Sequence, residues 1–285
     1  MGSLRRWVAR QFTTRVIVMM PVAIAINIVL GYTVQSVLKL PIYVDSIGTI
    51  LVGVLAGPLA GAATGVLSNL IWQYAPILGG SNIGPFAITA GVIGFMAGIW
   101  GYLGVFRTRP ATGLRLIVPG AIAVAVIAVL AARMYTIPQY TDPNVGGYPG
   151  WVYGAIVVIG VAAALAVAGF IYLRRDAAGA WVAVAGALTG VVAAIVSAPI
   201  AAVVYGGVTG SGTDVLVAAL RQGGADVYNS SLGQGLFSDP IDKTITCFVV
   251  FLILSGVSSR FLVRFPLGDR LVTVDAEPAG SPDDN

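Results

Sequence analysis

The sequence predicts an all-α fold, a polytopic bundle of transmembrane helices, and three observations carry the prediction. Of 285 residues, 57% are hydrophobic and 10% charged, and mean hydropathy is +0.90, too apolar for a domain whose surface faces water. Apolar runs near the ~20 residues that cross a hydrocarbon core follow one another with only short breaks. The 37 glycines suit membrane helices, which approach closely through small residues.

Span length, together with Gly, Pro and charge punctuation, divides the chain at 15–38, 46–57, 59–75, 85–105, 115–135, 150–173, 180–205 and 241–262, about eight spans in all. The basic segment 1–14 precedes a long apolar run without a small-residue cleavage site, so 15–38 reads as a retained first span. Gly57-Pro58 parts the second span from the third; 46–57 is short for a crossing and fits a tilted or partly inserted segment. The run 180–205 is expected to break at Ser197-Ala198-Pro199, and the last span to begin at "SDPIDKT". One membrane domain thus covers 15–266, and the acidic, Pro-rich tail within 267–285 reads as disordered. Glycines 53, 57, 61 and 65, Gly94 and Gly98, and Gly186 and Gly190 are spaced by four, which predicts close helix contacts.

With the N-terminus in the cytoplasm, Arg5, Arg6, Arg10, Arg15, Arg107, Arg109, Arg115, Arg174, Arg175, Arg260, Arg264 and Arg270 fall inside. Lys39, Arg133, Arg221 and Lys243 fall outside. That bias follows the positive-inside rule and puts both termini in the cytoplasm. The net charge of +4 therefore reflects topology and not a nucleic-acid footprint, since no basic run is interleaved with aromatics.

This orientation gathers the informative polar residues on the outer face. Asp45 and Ser46 stand at one helix start, and Asp239 and Asp242 at another. Capping explains such positions. Hydroxyls one turn deeper, at Thr49, Thr244 and Thr246, call instead for partners in the bundle interior. Lys243 either snorkels to the headgroups or holds an anionic or carbonyl-bearing ligand. Trp72 and Tyr74 suit an interfacial aromatic belt, whereas Asn69, a turn inside its span, bonds a neighbouring helix or faces a polar cavity. Together these residues point to an outward-facing pocket.

No engine accompanies that pocket. Lys39 is followed by Leu and Lys243 is preceded by Asp, which excludes a phosphate-binding loop. With no histidine and a single cysteine, Cys247, His-based catalysis, the usual metal-ligand sets and a disulfide scaffold are ruled out. All carboxylates are placed in connections or the tail, so the mid-span acids of a proton-coupled carrier are not expected. The chain reads as a non-enzyme without cofactor or metal.

Three stretches, "PVAIAINIVLGYTVQSVLKLPIYVDSIGTILVGVLAGPLAGAATGVLSNLIW" (21–72), "VSAPIAAVVYGGVTGSGTD" (196–214) and "DPIDKTITCFVVFLIL" (239–254), together resemble the S components of energy-coupling factor (ECF) transporters, their membrane-embedded substrate-binding subunits. The resemblance implies a six-helix core that binds a vitamin or related micronutrient from outside. It also implies a transmembrane coupling subunit and two cytoplasmic ATPases as partners, in a prokaryotic cell membrane. Carried onto this sequence, the family's pocket falls at Asp45, Asn69, Asn82, Tyr205, Asp239, Asp242 and Lys243. Two departures stand out. The segment 110–178 adds a hairpin, and the small-residue stripe that marks the coupling surface in the first span reads Ala23, Asn27, Gly31. A membrane sensor module and a self-sufficient facilitator or secondary carrier are the alternative readings.

Overall fold

The computed structural model describes residues 2–75, 83–135 and 171–272, with separate positions at 158, 161, 162, 165, 166, 168 and 169. Asn82, the loop 136–150, nearly all of the span expected at 150–173 and the tail from 273 lie outside the described residues. Among the described residues every regular element is helical. In chain order these are α1 (Gly2–Gln11), α2 (Thr14–Gly31) with a π-helical continuation Tyr32–Val37, α3 (Ile47–Ala56), α4 (Pro58–Tyr74), α5 (Ala87–Tyr102) and α6 (Leu114–Tyr135). There follow α7 (Ala178–Tyr205), α8 (Asp214–Gln222), α9 (Val227–Gly256) and α10 (Ser259–Leu262).

Thr14–Val37, Gly84–Tyr102 and Ala178–Tyr205 are each long and apolar enough to cross a membrane, which marks a membrane protein. The ten residues of α3 rise about 15 Å at 1.5 Å each, about half the thickness of a hydrocarbon core. Gly57, at φ +120°, turns the chain between α3 and α4, and Pro58 opens α4 where a missing N–H goes unnoticed. The buried Gln11 side chain accepts from Leu59 N at 2.8 Å, capping α4 in place of the glycine.

Two sequence expectations fail. Helix α7 runs unbroken through Pro199 and ends at Tyr205, where Gly206 takes the left-handed conformation. Ser197 Oγ donates to Ala194 O, one of the bonds that hold a proline-bearing helix together. The last long helix begins at Val227, well before "SDPIDKT", with Asp226 as its cap accepting from Asn229 N at 2.8 Å. Asp239, Asp242 and Lys243 therefore lie in mid-helix.

The glycine spacings do mark close backbone contacts. A Cβ on Gly61 would fall 2.3 Å from Gly94 O and 2.7 Å from Gly53 Cα, and one on Gly94 would fall 2.2 Å from Gly61 O. Gly65 abuts Ala90, and Gly98 abuts Gly57 and Pro58. Helices α3, α4 and α5 thus touch backbone to backbone. A second seam joins α7 to α9, the most extensive helix pair among the described residues, through Gly186 against Lys243 O and Gly190 against Asp239 O.

The stripe Ala23, Asn27, Gly31 faces inward. Asn27 is 1% exposed; its Oδ1 accepts from Gly48 N at 2.7 Å, and its Nδ2 donates to Thr49 Oγ1 and Ser68 Oγ at 2.8 and 2.9 Å. One amide therefore ties α2 to α3 and α4, because side-chain amides are both donor and acceptor. Gly31 lets Trp72 and Asp45 close on it, since a Cβ there would lie 2.7 Å from the indole and 2.8 Å from Asp45 Cβ. Asn27→Leu strands the Gly48 N–H and is expected to lower stability by about 1–3 kcal/mol, the cost of an unsatisfied buried group. Thermal unfolding of the detergent-solubilised chain checks this, and an unchanged midpoint would contradict it.

Several arginines collect at one end. Arg15 Nη1 donates to Arg264 O, Arg109 Nη2 donates to Gly104 O, and the Arg270 guanidinium lies 5.4 Å from the Tyr102 ring centre. Trp7 Nε1 donates to the same tyrosine's hydroxyl, which brings α1 to this end. The ends of the extra segment 110–178 are joined here as well: Ala111 N donates to Arg175 O and Ala177 N to Arg109 O, while Asp176 accepts from Arg109 N and Ala178 N. At the opposite end the chain segment 38–46, Ile83 and segment 206–213 come together.

Candidate functional site

The site grows from the segment 38–46, which links α2 to α3 at the end away from the arginines. It takes an unusual path: Val44 has φ +53° and Lys39 has φ +50°, and a β-branched residue in that region is strained. What holds it is a carboxylate from α9. Asp242 Oδ1 accepts from Tyr43 N at 3.2 Å and Val44 N at 2.7 Å. Gly212 closes against Lys39 and Leu40 from the other side, since a Cβ there would meet both carbonyls.

Beneath this segment lies an ion-pair cluster. Lys243 Nζ donates to Asp242 Oδ2, to Ser46 Oγ at 2.8 Å and to Asp45 Oδ1 at 3.5 Å. Asp45 Oδ2 also accepts from Gln35 Nε2 at 3.1 Å, from the π-helical turn. Lys243 is 2% exposed and Asp242 0%, so the lysine does not snorkel. Nor does Asp45 or Ser46 cap α3, because no side-chain cap bond forms there and Ser46 Oγ faces the lysine instead. The reason is reach: Lys243 comes from mid-helix α9, where a buried ammonium without acceptors would be far costlier than an uncapped helix start.

These groups form part of the wall of a cavity of about 320 Å³, within the size range of small-molecule sites. Asp45, Asn69, Asp239 and Lys243 line it, as the sequence reading expects. Asp242 stands behind Lys243 and outside the lining, as the anchor of both lysine and roof. Tyr205 is one step removed, stacked on the lining residue Phe86 with ring centres 5.3 Å apart and planes 5° from parallel. Asn82 lies outside the described residues. No described residue of 110–178 lines the cavity.

Trp72 is 2% exposed and part of the wall, not of an interfacial belt; Gly31 makes the room that draws it in. Tyr74, at 76% exposed, does face outward. Four buried side-chain polar atoms among the described residues have no hydrogen-bond partner, and two of them, Trp72 Nε1 and Thr89 Oγ1, belong to cavity-wall residues. Such orphans mark places where a bound molecule or water completes the bonding.

The sequence reading misses Gln35, Tyr43, Ser231 and Gln234, all of which line the cavity. Tyr43 Oη accepts from Gln234 Nε2 at 3.2 Å and pairs with Thr213 Oγ1 at 3.0 Å, joining the 38–46 segment, α9 and the α7–α8 connection. Burial raises this phenol's pKa above its ordinary value, with the charge of Asp239 adding to the effect, so it remains a protonated hydroxyl. A signal for the α9 group exists: Ser231, Gln234, Ser238 and Asp242 recur at helical spacing, a polar stripe visible once the segment is read as helix.

Comparison with protein-family models, curated proteins and solved structures finds no match for this chain. The geometry of the cavity must carry the reading by itself. Chemically, the site offers two carboxylates, an ammonium, hydroxyls, amides and an indole, with Asp239, Lys243, Gln234, Asn69 and Trp72 on helices and Tyr43, Asp45 and Ser46 on the segment 38–46.

Proposed function

We propose that the chain is a membrane-embedded solute-binding subunit of the S-component type, which captures a vitamin or related micronutrient for an ECF-type importer. The observation that carries the reading is the cavity of about 320 Å³ at the end away from the arginines, walled by charged and hydrogen-bonding side chains. A bundle held only for its own stability gains nothing from buried carboxylates facing an open space. The proposal includes about eight spans in the prokaryotic cell membrane with both termini cytoplasmic, following the distribution of arginines. Since the sequence holds no phosphate-binding loop, the energy comes from partners: a transmembrane coupling subunit and two cytoplasmic ATPases.

A second reading gains support from one observation. The carboxylates of Asp239 and Asp242 lie in mid-helix and not in connections, which is where a proton- or cation-coupled carrier keeps its acids. One pair of experiments separates the two. Native mass spectrometry of the purified chain is expected to reveal a co-purifying small molecule, and solute uptake by cells is expected to require co-expressed coupling and ATPase subunits. Accumulation by proteoliposomes containing this chain alone, driven by an ion gradient, would replace the importer reading with the carrier.

A further inference from the structure

We infer that the cavity selects a compact organic cation, a protonated amine or amidine joined to a flat ring; this rests on the reading of the cavity as a solute site. The inference begins with charge. Asp45, Asp239 and Asp242 face one cation, Lys243, so the cluster carries two more acidic than basic groups. The lysine is already matched by charge: of the three N–H donors of an ammonium, two meet Asp242 and Ser46 closely, and Asp45 lies at 3.5 Å. Two carboxylates already neutralise it, which argues against the role of anion holder that its position in the sequence invites.

Asp239 is the group left over. It is 5% exposed, and it lines the cavity. Among the described residues its side chain has one hydrogen bond, from Ser238 Oγ at 3.3 Å, a long contact for a hydroxyl on a carboxylate. A carboxylate so deeply placed is satisfied by a cationic donor reaching it through the cavity. Trp72 and Phe86 line the same cavity, and an indole face is the best aromatic partner for a cation or a flat cationic ring. Acid at one side and aromatic surface at another fit a ligand whose positive group and ring are adjacent.

Three isosteric probes test this on the full-length chain in lipid nanodiscs: benzamidine (cation), benzamide (neutral) and benzoate (anion), titrated calorimetrically after washing out any co-purified solute. Benzamidine is expected to bind at least ten-fold tighter than benzamide, with no detectable binding of benzoate. Asp239→Asn, which keeps the side chain's shape, is expected to erase that preference while the melting temperature stays within a few degrees. Trp72→Leu is expected to weaken benzamidine several-fold. The inference is overturned if benzamide or benzoate matches benzamidine, if none of the three binds, or if Asp239→Asn leaves the preference intact. A neutral or anionic co-purifying solute would also overturn it while leaving the solute-binding reading standing. A benzamidine preference in a chain whose uptake ignores the ATPases would do the reverse.

Discussion

Asp242→Ala is expected to lower stability by about 3–5 kcal/mol, the range for removing one partner of a buried ion pair. The side chain is 0% exposed and joins three things at once: Lys243 Nζ, Tyr43 N and Val44 N. Without it a buried ammonium loses its nearest counter-charge, and two backbone donors in a strained segment lose their acceptor. Lys243→Met added to Asp242→Ala is expected to recover part of the loss, because the uncompensated charge is then gone. Thermal unfolding of the two variants beside the parent chain checks both claims. A single variant as stable as the parent would show that the ion pair is not what holds the roof.

Gly94→Ala has the second large effect. The new methyl would sit 2.2 Å from Gly61 O, 2.3 Å from Gly61 C and 2.7 Å from Ala62 N, all backbone atoms that cannot turn aside. Helices α4 and α5 must then separate, with a loss of about 1–3 kcal/mol or more for overpacking. Gly256→Ala makes a matched control at the end of α9, where a Cβ meets nothing within 4 Å; there alanine's better helix propensity predicts a neutral or slightly stabilising change. Unfolding midpoints that move together in the two variants would contradict the backbone-contact account.

What could be read in advance divides along a physical line. Helix ends set by backbone chemistry were legible: Gly57-Pro58 parts α3 from α4, and the glycines after Tyr205 end α7. So were the seams, since a four-residue glycine spacing has one ready use in an apolar helix. The start of α9 was not. "SDPIDKT" has the residues of a helix entry, and the polar stretch before it has the composition of a connection. The cavity explains why Ser231 and Gln234 are polar, with Ser238 bonded behind them to Gln234 and Asp239, and the cavity is made by residues from four other parts of the chain. Lys243 was obscured for the same reason, because its acceptors Asp45 and Ser46 lie 198 and 197 positions away. Asp45, Asn69, Asp239 and Lys243 do line one cavity, although capping and snorkelling are not what holds the two aspartates and the lysine in place.

The glycine contacts among α3, α4 and α5 also have a mechanical consequence. Where backbones touch, no layer of side chains remains to change rotamer and let one helix slide on another. These three helices therefore behave as a single stiff slab, and Asn69 and Thr89 ride on it without moving relative to each other. On the proposed solute-binding reading, entry and exit then fall to the opposite wall, where Asp242 holds the segment 38–46 through Tyr43 N and Val44 N.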